Sequence, residues 1–174
     1  MPGAIFLEGE KINLRTIEDE DIEFIRDSYN LTEIRTNISH SKPANLEQER
    51  EFFEQVICGE DDINLSISLE GEMIGMITLS PEKDQGVKQI GLWLHPDYHG
   101  NGYGTEASRL MIYYAFKEIR VHKVLARALD SNKASQKIWE NLGFEQEAVL
   151  REQSYHNGGY EDLKMYGVLK DEWK

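Results

Sequence analysis

The chain has 174 residues and carries 32 acidic against 19 basic side chains, a formal net charge of -13. That length can bury enough surface to fold as one domain over residues 1–174 without staples, and the acidic balance argues against a nucleic-acid ligand, whose recognition begins on a basic face. Cationic acceptors suit the charge better, although an acidic surface also simply keeps a protein soluble. The opening MPGAIFLEGE has neither a basic region nor a long apolar run, so no signal peptide, no membrane segment and a cytoplasmic location are expected. One cysteine, Cys58, excludes an internal disulfide and reads as a small buried hydrophobe rather than a nucleophile.

In chain order, residues 11–17 predict a first strand, and Thr16 or Asp19 is placed to cap a helix bearing Ile22, Phe24, Ile25 and Tyr29. Residues 30–44 have no period, and residues 46–57 predict a second amphipathic helix. Ile63, Leu65, Ile67 and Leu69 alternate with Asn64, Ser66, Ser68 and Glu70, the period of a half-buried strand, and Glu70-Gly71 supplies a hairpin turn. Residues 73–79 and 87–94 are nearly continuous apolar runs, as central strands covered on both faces require. Ala107, Leu110, Met111, Tyr114 and Ala115 recur at helical spacing and predict one long helix over 103–119. Residues 123–129 read as a strand and 132–142 as a helix closed by Gly143. Residues 144–156 and 160–169 complete the sheet around Asn157-Gly158-Gly159. The order predicts an α+β (α/β) architecture: a mostly antiparallel seven-stranded sheet, helices on both faces, and one right-handed crossover through the long helix.

Gly100, Gly102 and Gly104 lie between an apolar strand and that long helix. Glycines let backbone N–H groups approach a phosphate closely, and the helix N-terminus adds partial positive charge, so a pyrophosphate is stabilised there even on an acidic protein. A nucleotide-hydrolase phosphate loop would end in Gly-Lys-Ser/Thr, but Gly104-Thr105 lacks the lysine. A dinucleotide fingerprint would need Gly-x-Gly-x-x-Gly, whereas the spacing here is Gly-x-Gly-x-Gly.

The run from Gln89 to Ala107 resembles the acetyl-CoA motif of the GNAT acetyltransferase superfamily, and Asn132 to Ser135 with Leu142-Gly143-Phe144 resembles its second cofactor motif. With the segment from His156 to Asp162, the whole chain is similar to the branch holding ribosomal-protein N-terminal acetyltransferases and spermidine acetyltransferases. The resemblance implies the GNAT fold and acetyl-CoA as co-substrate. It places the pyrophosphate on His99, Gly100, Asn101, Gly102, Tyr103, Gly104 and Thr105. His99 stands where the superfamily pattern has glutamine or arginine, which leaves the backbone cradle intact but removes the usual side chain; a partly charged histidine could replace its cation, or the ring could face solvent. The resemblance further implies that Leu94 and His95 pair with the pantetheine arm like an added strand, and that the Leu94 N–H polarises the thioester carbonyl. Asn132 would hydrogen-bond the pantetheine amides, or simply cap its helix, and Ser135 would lie near the sulfur. Leu94 and Ser135 are therefore the catalytic candidates.

Two positions depart from the relatives. The strand glutamate that often serves as base is matched by Gln89, and the helix tyrosine that serves as acid is matched by Trp139; neither replacement can do that work. An α-amino group with pKa about 7.7 to 8.0 is neutral in roughly a quarter of molecules near neutral pH, while lysine at about 10.4 is neutral in roughly one of a thousand. An enzyme without a strong base is thus matched to a protein N-terminus or a small α-amine, with Glu33 and Glu106 as carboxylates that could compensate. The alternatives are a polyamine or aminoglycoside acetyltransferase and a non-catalytic acetyl-CoA-binding module. His95 and His99 are separated by Pro96-Asp97 and share no helical face, so no metal is expected. A homodimer is expected by analogy alone.

Overall fold

The computed structural model describes residues 3–38 and 42–174. Eight strands form one sheet: β1 (Ile5–Glu8), β2 (Asn13–Arg15), β3 (Ile63–Leu69), β4 (Glu72–Pro81), β5 (Val87–Leu94), β6 (Lys123–Leu129), β7 (Glu145–His156) and β8 (Gly159–Leu169). Their order is β1-β2-β3-β4-β5-β6-β8-β7. Every neighbouring pair is antiparallel except β5 and β6. The parallel pair requires a crossover, which α4 (Tyr103–Lys117) provides. The remaining helices are α1 (Ile22–Asn30), α2 (Thr32–Arg35), α3 (Leu46–Phe52) and α5 (Lys133–Asn141).

The sheet separates two apolar layers. Ala107, Met111, Ile112, Ala115 and Phe116 of α4 are buried with Ile74, Ile77, Ile90, Val124 and Trp139 in the larger one. Met73, Met76 and Trp93 meet Ile25, Tyr29, Ile34 and Ala44 in the smaller one on the other side. The spacing of the α4 residues is what lets one helix face cover the centre of the sheet.

The eight strands exceed the seven expected because β1 carries no sequence signal. Ile5 and Phe6 are exposed on this short edge strand, so no buried period marks it. The strand expected at 11–17 narrows to Asn13–Arg15. Neither Thr16 nor Asp19 caps the first helix; instead Asp21 accepts from the Glu18 N–H at 2.9 Å, and residues 19–21 form a 3-10 turn. The second helix ends its α geometry at Phe52 and continues as a π-helical turn, Phe53–Ile57. Ser66 and Ser68 are buried rather than exposed, so β3 is covered on both faces. Cys58 lies exposed after the π turn, contrary to the buried reading. The unperiodic stretch 30–44 contains α2, with residues 39–41 outside the described residues. Both hairpin turns and the Gly143 helix stop have the positive φ expected of them, with Glu70 at 52° and Gly71 at 93°, Asn157 at 47° and Gly158 at 87°, and Gly143 at 81°. Among the described residues no helix is long and apolar enough to cross a membrane.

Arg15 on β2 holds Asp21 through two hydrogen bonds of 2.8 Å each, with the residues 3% and 8% exposed. This pair fastens the turn before α1 to the sheet. Asp21→Ala would leave the guanidinium buried without its counter-charge and is expected to cost about 3–5 kcal/mol, read from urea unfolding midpoints. Replacing both partners with apolar residues should recover much of that loss.

Candidate functional site

The pairing of β5 with β6 lasts only from Val87↔Lys123 to Ile90↔Ala126. Beyond it β5 stays with β4 as far as Leu94, while β6 stays with β8 as far as Leu129. The two strands therefore diverge in the middle of the sheet. A cleft of about 1370 Å³ opens there, lined by both apolar layers. The His95 N–H donates to the Ile74 carbonyl at 2.9 Å. Alternation along an antiparallel ladder then turns the backbone groups of Leu94 away from β4, toward the gap. His99 Nε2 donates to the Leu94 carbonyl at 2.9 Å, which fixes the ring and leaves the Leu94 N–H as the polar group at the strand end.

The glycine loop follows a 3-10 turn, Pro96–Tyr98. Gly100 and Gly102 have φ of 78° and 82°, a region that side chains disfavour, and Gly102 is the residue from which α4 starts. The first α4 bond runs from the Glu106 N–H to the Gly102 carbonyl, so the N–H groups of 103–105 have no acceptor within the helix. Gly104 is required by packing instead, since a Cβ there would meet Leu92 and Ile138 at 3.2 Å, and its absence lets α4 lie close on β5 and α5. Asn101 donates to the Tyr98 and His99 carbonyls at 3.3 and 3.1 Å and closes the loop. Lys11, from the β1–β2 turn, brings Nζ to 3.5 Å from the Asn101 carbonyl. Glu106 accepts from the Lys11 N–H at 2.9 Å and holds that turn against α4, which is a structural duty rather than that of a free base.

On the other side of the gap, Asn132 Oδ1 accepts from the Ser135 N–H at 3.1 Å as a helix cap, and its amide nitrogen reaches Asn37 at 3.4 Å. Gln136 donates to the Leu129 and Asp130 carbonyls, both at 2.8 Å, fastening the end of β6 to α5. Lys164 joins this network through Gln136 at 3.1 Å and Asp130 at 2.8 Å. Hydrogen bonds from Lys164 and Lys133 hold the Asp130 carboxyl below its usual range. Trp139 is 2% exposed, and its indole N–H has no hydrogen-bond partner among the described residues.

Of the residues expected from sequence, the cleft gathers Leu94, His99, Gly100, Gly102, Tyr103, Gly104, Thr105, Asn132 and Ser135. His95 does not line it: its N–H is taken by Ile74, and its ring packs near Phe24 and Tyr98. Asn101 does not line it either, because its side chain serves the loop carbonyls. His99 is exposed and turned to Leu94, so that its ring braces the strand end.

The opposite wall is formed by α1, α2, α3 and β5. Gln89, Gly91 and Trp93 project to that side, with Tyr29, Met76 and Phe52 around them. Burial raises the Tyr29 phenol well above its ordinary value. Two residues, Lys11 beside the glycine loop and Glu49 on this wall, have no counterpart in the expectations from sequence. Lys11 belongs to no motif. Glu49 is 5% exposed, its Oε2 has no partner among the described residues, and burial raises its carboxyl pKa. A signal for Glu49 exists, since it lies on the stripe Leu46, Glu49, Phe52 and Phe53 of an amphipathic helix, where an apolar residue belongs. Among the described residues no three His, Cys, Asp or Glu side chains are placed to hold a metal ion.

Residues 11–145 match the acetyltransferase (GNAT) domain model. YdaF of Bacillus subtilis, named as a candidate ribosomal N-acetyltransferase, is 34% identical over 113 residues, covering 64% of this chain and 62% of YdaF. The prophage-derived N-acetyltransferase YokL of Bacillus subtilis is 27% identical over 167 residues, covering 95% of this chain and 94% of YokL. A spermidine N-acetyltransferase from Vibrio cholerae, solved with CoA and spermine, superposes with a TM-score of 0.85 at 21% identity, over 93% of this chain and 97% of that one.

The glycines separate two kinds of constraint. Gly104→Val should lose about 1–3 kcal/mol in urea unfolding, because its side chain forces α4 off Leu92 and Ile138. Gly91→Val, whose Cβ meets nothing within 4 Å and faces the cleft, should unfold within about 0.5 kcal/mol of the parent.

Proposed function

The chain belongs to the GNAT acetyltransferase family, whose members draw their acetyl groups from acetyl-CoA, and from that premise we propose that it acetylates a primary α-amine, on a protein N-terminus or a small molecule, by direct attack. The observation that carries the reading is the divergence of β5 from β6 beside a glycine-rich helix N-terminus, with both opening into one cleft. The co-substrate supplies an acetyl group activated as a thioester. The positive-φ loop and the free N–H groups of 103–105 suit its pyrophosphate, and Lys11 Nζ adds a cation beside the loop. The gap beside Leu92 and Leu94 suits an extended amide-bearing arm laid along β5. The Leu94 N–H is directed to receive the oxygen on which charge develops, and Ser135 lies on the wall facing it.

Two features favour an α-amine. Gln89 lines the acceptor side of the cleft but cannot take a proton, so an acceptor that is already partly neutral is better matched. The similarity to YdaF, named as a candidate ribosomal N-acetyltransferase, also agrees with a protein acceptor.

Measurement of CoA-thiol release tests the acceptor directly. A peptide with a free N-terminus should turn over, while the same peptide blocked at its N-terminus but carrying lysine should not. Preferential turnover of spermidine would refute the assignment. For the donor, Lys11→Ala should weaken acetyl-CoA binding by about fivefold at low salt, the size of one exposed charge contact. The difference should shrink at about 1 M salt, and calorimetry reads both conditions.

A further inference from the structure

Resting on that reading of the cleft, we propose that Glu49 receives the ammonium group of the acceptor, and that the acceptor is a monoamine with an apolar or aromatic substituent beside the nitrogen. Glu49 is a carboxylate on the apolar face of α3, 5% exposed and lining the cleft. Its Oε2 has no hydrogen-bond partner among the described residues. Proteins seldom bury a carboxylate that is not fully paired, because removal from water costs several kcal/mol unless a counter-charge is supplied. An incoming ammonium supplies it.

The surroundings define the rest of the ligand. The Tyr29 ring centroid lies 6.2 Å from that of Phe52 and 5.4 Å from that of Trp93, and the Glu49 charge acts on the Tyr29 phenol. Trp93 is the neighbour of Leu94 on β5, so this aromatic wall stands next to the strand end where the acyl group is expected. Ile34, Ala44 and Met76 extend the wall. Aromatic faces favour a cation, and the aliphatic positions favour an apolar substituent. The other charged groups in the cleft argue against a polyamine: Glu33 is exposed and solvent-screened, and Lys42, Arg127 and Lys137 would repel a second ammonium.

The same group answers the proton requirement that Gln89 leaves open. Burial raises the Glu49 carboxyl above its ordinary value, which makes it a stronger proton acceptor than an exposed carboxylate. Glu49 takes one proton from the ammonium; the neutral nitrogen then forms its bond to the carbonyl carbon as the C–S bond breaks. The second proton lost from nitrogen balances the departing thiolate, giving amide and thiol.

Phenylalaninamide, an α-amine with an aromatic substituent beside the nitrogen, is the probe, with spermidine for contrast, and acetyl-CoA binding is measured separately by calorimetry. Glu49→Gln should lower kcat/KM for phenylalaninamide by about tenfold or more, while acetyl-CoA affinity stays within about twofold because Glu49 lies on α3 and not on the glycine loop. Glu49→Asp should restore part of the activity, and Glu60→Gln, at an exposed carboxylate outside the cleft, should stay within about threefold of the parent. Removing a buried charge of this kind should leave Tm unchanged or raise it. Unchanged turnover in Glu49→Gln, a clear fall in its Tm, or a parent protein that binds acetyl-CoA and turns over spermidine but not phenylalaninamide would each overturn the proposal. A parent protein that fails to bind acetyl-CoA overturns the acetyltransferase reading itself, and this inference falls with it.

Discussion

Two strands that part in the middle of a sheet leave backbone N–H and C=O groups without a ladder partner, and the whole molecule is arranged around that gap after Ile90. Buried backbone groups left unpaired are costly, so a gap of this kind must be held open by contacts on both margins. On one margin His99 takes the Leu94 carbonyl and α4 lies close on β5 because Gly104 has no side chain. On the other, Gln136 and the Asp130–Lys164 pair tie the end of β6 and β8 to α5. Neither margin uses the Leu94 N–H. The Leu94 N–H is therefore left toward the gap by geometry, not by residue type, since it belongs to the main chain.

The gap also explains why the molecule has two apolar layers with different characters. The α4 layer is aliphatic and continuous, and it supports a loop whose amide groups converge at a helix end. The α1–α3 layer is smaller, rich in aromatic rings, and contains a carboxylate. An anionic donor on one wall and a cationic acceptor on the other would each meet local charge of the opposite sign, although the protein as a whole is strongly acidic. Local dipoles outweigh net charge over a few ångströms, because distant surface charges are screened by water and salt.

Most elements are legible in the sequence because their burial follows a period. The strand at 123–129 has the bounds its pattern predicts, α4 stops two residues short of its expected end, and Gly143 closes α5 as its position requires. The elements that depart from expectation lack that link between pattern and burial. β1 exposes Ile5 and Phe6 at a sheet edge, and Ser66 and Ser68 look solvated but are covered. In the site, the glycine spacing reveals the loop, because only backbone geometry is involved. The direction of His99, the reach of Lys11 and the diversion of His95 depend on contacts between segments that no local pattern records.

Asp21 and Glu49 show how burial alone is an incomplete guide to a carboxylate's purpose. Both are largely withdrawn from water. Asp21 meets a two-pronged guanidinium and accepts a backbone N–H, so its charge is balanced inside the fold and its removal affects stability. Glu49 leaves an oxygen without a hydrogen-bond partner among the described residues at the wall of the cleft. A fold tolerates such a group only when the loss is small against its total stability, and selection has reason to keep it when a partner arrives from outside. The difference between the two lies in their neighbours, and it is the less bonded carboxylate, not the more strongly bonded one, that points to the acceptor.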